Sequence, residues 1–343
     1  MNTRNIALYG LLLALTLAAV PAQAQRAESP EQSGTQGAEH LLIPLTARSA
    51  AMSNSLTSGL SNLNGIEALQ SNPAGLMANT GSSALFSRMG YVADIGVNYF
   101  GVAQRVGNNN IALTITSWDF GDIDAIREDD PTPSSTYTAT NIVVGATYAR
   151  QLTDRIAAGL TAKFANETID DMNAAYVAFD AGMTYTVGES GLRFGVSLKN
   201  LGPQMSFGGR GLARPIPVVD ATNGIAGEIR AQSHELPSLL NFGVAYTRQF
   251  AEGIDATVIG NFRSNSYDPD QYAGALELGY QNIVFVRGGF ELREDMDQTM
   301  YQGWNVGAGI NYDFDGVGIA VDYAFRPVDF FSSVNLITAA VSL

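Results

Sequence analysis

The chain has 343 residues, a formal net charge of −14, no cysteine and two histidines, and Lys163 and Lys199 are its only lysines. So acidic a chain is unsuited to nucleic acid, which is bound through a basic face. Without a thiol there is no disulfide, no cysteine zinc site and no thiol nucleophile, and no cofactor or metal centre is expected.

The first residues read as an export signal. Arg4 precedes an apolar run from Ile6 to Val20, and Ala22-Gln23-Ala24 is a small-x-small cleavage site, so residues 1–24 are expected to be a signal peptide. The run is shorter than the roughly 20 residues a spanning helix needs. Residues 25–39 are polar and rich in Gly, Ser, Gln and Glu, as a flexible leader would be. Residues 40–80 are different again. They contain LLIPLTARSAAMSNSLTSGL and NGIEALQSNPAGLM, small and apolar with breaks at Pro44 and Pro73. Such a stretch ahead of a barrel is expected to be an N-terminal hatch or plug folded into the lumen.

From residue 81 to residue 343 the chain alternates. In TNIVVGATYAR, Ile142, Val144, Ala146 and Tyr148 share one face; in GLRFGVSLKN, Leu192, Phe194, Val196 and Leu198 do, with Arg193, Ser197 and Lys199 opposite. Strands are predicted over 83–91, 95–105, 110–118, 138–150, 155–168, 174–187 and 191–200. A second group follows over 238–250, 254–263, 271–280, 283–292, 302–312, 317–325 and 334–342. Tight Gly, Asn and Asp turns near residues 107–109, 152–154, 188–190, 251–253, 281–282 and 313–316 alternate with longer connections over 119–137, 169–173, 201–237, 264–270, 293–301 and 326–333. About fourteen strands whose loops sort by length are the signature of an antiparallel up-and-down outer-membrane β-barrel, with the tight turns toward the periplasm. The expected fold class is therefore all-β and membrane-spanning.

The charges fix which face is the lumen. Lys163, Asp180, Arg193, Lys199, Asp255, Glu277 and Asp322 each avoid the apolar face of their strand. An Arg or Lys facing the bilayer midplane costs roughly 2–4 kcal/mol. The outer face then carries Leu160, Phe164, Phe179, Val196, Leu276, Val306, Ile310, Ile319 and Val321. Tyr148, Tyr185, Tyr246, Tyr280, Tyr312 and Tyr323 fall near strand ends, as an interfacial girdle would. Catalysis is not expected. His40 and His234 are placed on opposite sides of the membrane, and the acidic runs near residues 129–130, 170–171 and 291–297 lack the spaced ligands of a calcium loop. The connection 201–237 carries Met205, Phe207, Leu212, Ile216 and Val218 among glycines and prolines. It is expected either to offer an apolar strip to a partner or to fold over the mouth.

Several short elements carry a family resemblance. Asn72-Pro73-Ala74-Gly75-Leu76 resembles the NPAGL of FadL-like barrels, including the PorV/PorQ family. Pro44, Ala47, Arg48, Ala50 and Met52 match the preceding P-x-G-A-R-A-x-G-M-G stretch, although Thr46, Ala51 and Ser53 replace its glycines and Ser71 replaces a frequent tryptophan. LKNLGPQMSF from Leu198, LPSLLNFGVAY from Leu236 and VDYAF from Val321 are similar to further elements of that family, in the same order. Leu343 departs from the aromatic residue that commonly ends such barrels. The resemblance implies a fourteen-strand FadL-type barrel whose hatch includes Pro44, Arg48, Met52, Asn72, Pro73, Ala74 and Gly75. It also implies outer-membrane lipid as surroundings and a role in type IX secretion, binding secreted proteins with C-terminal sorting domains and other secretion-system components. The alternative it implies is transport of a hydrophobic small ligand across the outer membrane, helped by glycine-rich strands such as those with Gly288-Gly289, Gly307 and Gly309.

Overall fold

The computed structural model describes residues 36–59, 65–126, 135–216, 225–296 and 299–343. The expected signal peptide and most of the leader lie outside these residues, as does Val218. Fourteen long strands follow in chain order: β1 (Ser82–Gly90), β2 (Gly96–Val106), β3 (Asn109–Ala125), β4 (Ser135–Thr153), β5 (Ile156–Ile169), β6 (Met172–Thr186) and β7 (Leu192–Leu201). The second half comprises β8 (Leu239–Ala251), β9 (Ile254–Asn265), β10 (Gln271–Tyr280), β11 (Val284–Arg293), β12 (Trp304–Phe314), β13 (Val317–Arg326) and β14 (Val334–Ser342). Consecutive strands pair antiparallel, and β14 returns to β1 in a register from Ser83↔Ser342 to Gly90↔Asn335. The sheet is closed, so no edge is left with unpaired backbone, which is the condition for strands in lipid.

Alternation in the sequence becomes alternation of faces. On β4 burial switches at every residue from Ala139 to Ala149. The outward positions include Ile142, Val144, Leu160, Phe164, Phe179, Leu276, Val306, Ile310, Ile319 and Val321, all exposed, with Val196 half-exposed. A continuous apolar exterior of this extent would aggregate in water; against acyl chains it is the expected band. Five of the six girdle tyrosines (Tyr148, Tyr185, Tyr246, Tyr280 and Tyr312) lie toward the tight-turn ends of their strands. Tyr323 lies toward the opposite end of β13. The tight turns use left-handed backbone where the hairpin twist demands it. Asp315 and Gly316 have φ of 54° and 85°, as a two-residue primed turn requires.

Two connections differ from expectation. β3 runs on to Ala125 and β4 begins at Ser135, with a bulge between Asp119 and Asp122, so much of the predicted 119–137 loop is strand. The predicted 169–173 loop shrinks to a turn at Asp170 and Asp171. Both extensions lie beyond the apolar band, where water wets both faces and the alternation of apolar residues fades, although the ladder continues.

Residues of the N-terminal segment pack against the inward faces of the strands. A short helix α1 (Ala47–Ala51) and a single turn α2 (Gly65–Ala68) are fully buried. Ala47, Ala50 and Ala51 meet Val97, Trp118, Ala324 and Leu336. Ile66, Leu69 and Leu76 meet Leu85, Tyr99 and Ala340. Met52 and Leu56 meet Ala245, Ile259 and Ala275. Small residues dominate α1 because the wall is close: a Cβ on Gly307 would lie 2.6 Å from the Ala51 methyl, and one on Gly289 2.7 Å from the Met52 carbonyl carbon.

Candidate functional site

The N-terminal segment is fastened to the wall by polar groups at two places. Pro44, buried, precedes Thr46, whose side chain caps α1 by accepting from the Ser49 N–H. The cap places Arg48 on the wall side. Arg48 Nη2 donates to Glu277 Oε1 at 2.7 Å, and its Nη1 lies 3.8 Å from Glu67. The other Glu277 oxygen accepts from Arg287 Nε at 2.5 Å, and Arg287 Nη1 reaches Asp322. The buried Phe285 ring lies 5.9 Å from the Arg48 guanidinium carbon and 5.2 Å from that of Arg287. These side chains are almost wholly excluded from solvent, so each charge depends on its partners.

The second fastening is Asn72. Its Oδ1 accepts from the Ala74 N–H at 3.0 Å, capping the 3₁₀ turn Pro73–Ala78. Its amide donates to the carbonyls of Thr57 at 2.8 Å, Met183 at 3.0 Å and Val196 at 3.3 Å. Met183 and Val196 face each other across β6 and β7. The side chain thus ties the segment to the seam between two strands. Gly75 packs on Ala68, and Pro73 lies against Gly159, where a Cβ would come within 2.5 Å of the Pro73 carbonyl carbon. Outside this thin part of the wall is an apolar groove of about 530 Å³ lined by Leu160, Met183, Val196 and Leu198. A neighbouring groove of about 690 Å³ is lined by Tyr185, Phe194, Phe242 and Val244.

Between the segment and β2–β5 lies a recess inside the barrel. It is partly open, with a cavity volume of about 60 Å³. His40, Leu45, Leu69, Tyr99, Trp118 and Lys163 contribute to its lining. Lys163 is committed: Nζ lies 2.5 Å from Asp180 and donates to Asn200 Oδ1 at 2.9 Å, while the Asn200 N–H donates to the other Asp180 oxygen. His40 lies between Asn141, 3.4 Å from Nδ1, and the Tyr176 hydroxyl, 3.3 Å from Nε2. The Tyr176 hydroxyl donates to Glu167 at 2.8 Å. The consistent assignment is a neutral ring with the proton on Nε2. Burial, reinforced by the nearby Lys163 charge, holds the His40 pKa down to about 4. Trp118 stacks edge-on with His40 and Tyr91, centroids 5.9 and 5.6 Å away.

Of the remaining expected lumen charges, Lys199 is buried, and Arg193 and Asp255 are half-buried. Asp180, Glu277 and Asp322 belong to the two clusters above. The 201–237 connection does not offer Met205 and Phe207 as an exposed strip. Met205 pairs through its backbone with His234, is buried, and packs with Leu41, Val143, Tyr176 and Leu236, with Phe207 against them. An apolar side chain at the mouth loses more surface to water by turning inward than by standing in solvent. Leu212 is half-buried, and Ile216 lies on the short strand Ala213–Ile216 paired with Ile225–Glu228.

His40 is also placed differently from expectation. It sits beneath the long-connection end beside Asn141 and Trp118, on the same side as His234, because the segment enters the barrel from that end. Sequence reasoning passed over Arg287, Trp118 and Asn200. Arg287 had a signal, since it shares its strand face with Phe285 and Gly289. Asn200, at φ 57°, follows the lumen lysine in the Lys-Asn pair.

No protein-family model and no curated protein matches the chain. Among solved structures it is similar to the toluene transporter TodX of Pseudomonas putida, at 14% identity over 87% of this chain and 97% of that one, with a TM-score of 0.56. It is similar to the monoaromatic hydrocarbon channel CymD, at 12% identity over 88% and 97%, TM-score 0.54. It is also similar to a FadL homologue of Pseudomonas aeruginosa, at 8% identity over 87% and 98%, TM-score 0.53. At these identities the likeness is one of fold. The fold is that of a closed fourteen-strand β-barrel shared with these neighbours, of which TodX is described as a transporter and CymD as a channel.

Proposed function

We propose that the protein lets small hydrophobic molecules cross the outer membrane, with residues 40–80 acting as a hatch that closes the lumen. The observation that carries this reading is the partly open recess between the N-terminal segment and β2–β5, where Leu41, Leu45, Leu69 and Val143 sit beside threonine hydroxyls. Ligand sites of this kind are concave, mostly apolar and furnished with few polar groups. The apolar groove outside Gly159 and Gly182 lies across the β5–β6–β7 backbone from Asn72 and Pro73, and parting of those strands at the glycines once the hatch yields would supply a sideways exit. The reading is further supported by the fold shared with channels described for toluene and monoaromatic hydrocarbons. Uptake of toluene by vesicles containing the refolded barrel tests it. Entry faster than into empty vesicles is expected, and equal rates overturn the reading.

The ordered elements around Asn72, Leu198, Leu236 and Val321 favour a second reading, a PorV/PorQ-like component that presents secreted cargo. Deleting the protein from its host and cataloguing surface proteins separates the two. Loss of proteins carrying C-terminal sorting domains would favour cargo presentation; an intact surface with impaired uptake of hydrophobic compounds would favour the channel.

A further inference from the structure

Arg150 is the one charged residue in the lining of the apolar groove outside β4–β7. Among the described residues it makes no ion pair and no side-chain hydrogen bond. It is exposed and points away from the bore, because it shares its face of β4 with Ile142, Val144, Ala146 and Tyr148. It stands at the tight-turn end of that strand, opposite Ala158 of β5. An arginine on the lipid-facing side is tolerated there, since its stem can lie along apolar surface while the guanidinium reaches the headgroups. We propose that the groove seats an acyl chain of an anionic phospholipid of the periplasmic leaflet, with the lipid phosphate held by the Arg150 guanidinium. The proposal goes beyond the channel reading and stands whatever crosses the lumen.

The groove is a depression made by side-chain size. Ala158 faces Met183, and Ala181 lies between Leu160 and Leu198, so two methyl groups form the floor. The exposed side chains of Tyr148, Leu160, Met183 and Leu198 stand around them. Lipid chains already have apolar neighbours in the bilayer, so the groove fixes where a chain lies without selecting which lipid brings it. Selection falls to the headgroup. A phosphodiester accepts paired N–H bonds from the planar guanidinium. The other polar side chains of the lining are committed elsewhere. The Tyr148 hydroxyl donates to Asn109 Oδ1 at 2.8 Å, and the Ser197 hydroxyl turns inward to the Ser71 carbonyl at 2.8 Å. A zwitterionic headgroup brings an ammonium as well, and the lining holds no carboxylate to receive it. Asp154, in the adjoining turn, makes no ion pair with Arg150. The charge of the site therefore complements a headgroup with net negative charge.

The test places a tryptophan in the groove and reads its quenching by brominated lipid. Leu160→Trp is the reporter. Ile310→Trp is the control: it also faces outward, four residues inside the tight-turn end of its strand as Leu160 is, and its outward neighbours Tyr312 and Phe314 carry no charge. Both are made in a Trp304→Phe background, which leaves buried Trp118 as a constant signal. The variants are refolded into mixed vesicles of phosphatidylcholine and phosphatidylglycerol with one lipid or the other brominated in its chains. At Leu160→Trp phosphatidylglycerol should compete about fivefold better than phosphatidylcholine, the attraction of one arginine for an anionic lipid. At Ile310→Trp the ratio should stay near that of the bulk bilayer. Arg150→Gln should bring the groove to the control ratio, and Arg150→Lys should keep part of the preference. Leu198→Trp, also in the lining, replaces Leu160→Trp should that variant not fold, and the contrast between reporters decides alone should Arg150→Gln not fold. Equal ratios at the two reporters, or a preference that survives Arg150→Gln, would overturn the proposal. Lipid quenching lost at the groove reporter alone as the protein-to-lipid ratio rises would seat a second copy of the chain there, and would overturn it too.

Discussion

Replacing Arg48 by Met keeps an unbranched, flexible apolar stem and removes the guanidinium with its charge and donors, so it tests the polar hold on the N-terminal segment. Arg48 is 2% exposed and binds Glu277 at 2.7 Å with Glu67 beyond it. Removing one member of a buried ion pair costs about 3–5 kcal/mol, largely because the other member is left unpaired. Glu277 keeps Arg287 at 2.5 Å, which moves the expectation to the lower end, about 3 kcal/mol. At about 1.4 kcal/mol per factor of ten, the displaced state of the segment should become roughly 100-fold more populated. The strand ladder is untouched, so resistance of the barrel to unfolding in hot detergent should persist. Hydrogen exchange reads the effect directly. The Ala50 N–H, bonded to the Thr46 carbonyl at 2.9 Å, should exchange roughly 100-fold faster, and planar bilayers should record more frequent openings. Arg48→Lys, which keeps the charge but not the fork, should fall between. Unchanged exchange at Ala50 in the Met variant would refute the idea that this ion network holds the segment in place.

Three further outcomes are expected. Asn72→Ala removes the cap on Pro73–Ala78 and the donors to Met183 and Val196; the Gly75 N–H should lose about 1–3 kcal/mol of exchange protection, and conductance should rise. Leu160→Arg, on the outer face of β5, should cost about 2–4 kcal/mol in urea-monitored folding into vesicles if Leu160 lies near the bilayer midplane, whereas a conservative Leu160→Ile should cost far less. His40 contributes a pH dependence. Its folded pKa of about 4 lies below the unfolded value of 6.5, so the unfolded chain binds the proton first. Stability is full above pH 6.5 and declines as pH falls toward 4, by up to about 3 kcal/mol. Exchange protection around residues 39–42 should follow that decline, and His40→Gln should flatten it.

The barrel was legible because lipid makes the rule simple: one face of every strand must be apolar, and a period of two cannot be mistaken for a helix over fourteen repeats. The strand starts at Ile254 and Gln271 and the tight turns were recoverable for this reason. Where the environment stops distinguishing faces, the signal stopped too. Asp122 to Ala125 and Ser135 to Tyr137 continue the ladder in polar residues wetted on both sides. The interior was legible in sign but not in partnership. Glu277 and Asp322 were recognisable as lumenal, but their meeting through Arg287, and the reach of Arg48 across 229 residues of sequence, depend on closure of the sheet. His40 misled because the start of the hatch is expected on the opposite side of the membrane from His234. Its burial follows from the segment turning into the bore, a tertiary event with no local period.

The way the lumen handles charge bears on what can pass. An aqueous pore keeps ionisable groups in water, where they attract and sort ions. Here Arg48, Glu277, Arg287 and Asp322 are buried against one another, and Lys163 is closed onto Asp180 and Asn200. Paired in this manner, the charges cancel at short range and serve as fastenings between segment and wall. An ion following that path would have to break the fastenings and shed its own hydration. On the channel reading an apolar solute needs neither; it needs Asn72 and Pro73 to move aside and the strands they cover to part at Gly159 and Gly182. The same economy explains why small residues, rather than bulky ones, meet across the interface at Ala51–Gly307 and Ala74–Gly159. A close, smooth contact held by a few strong polar ties can release as a unit when those ties are broken, whereas interlocked large side chains would have to be unpacked one by one.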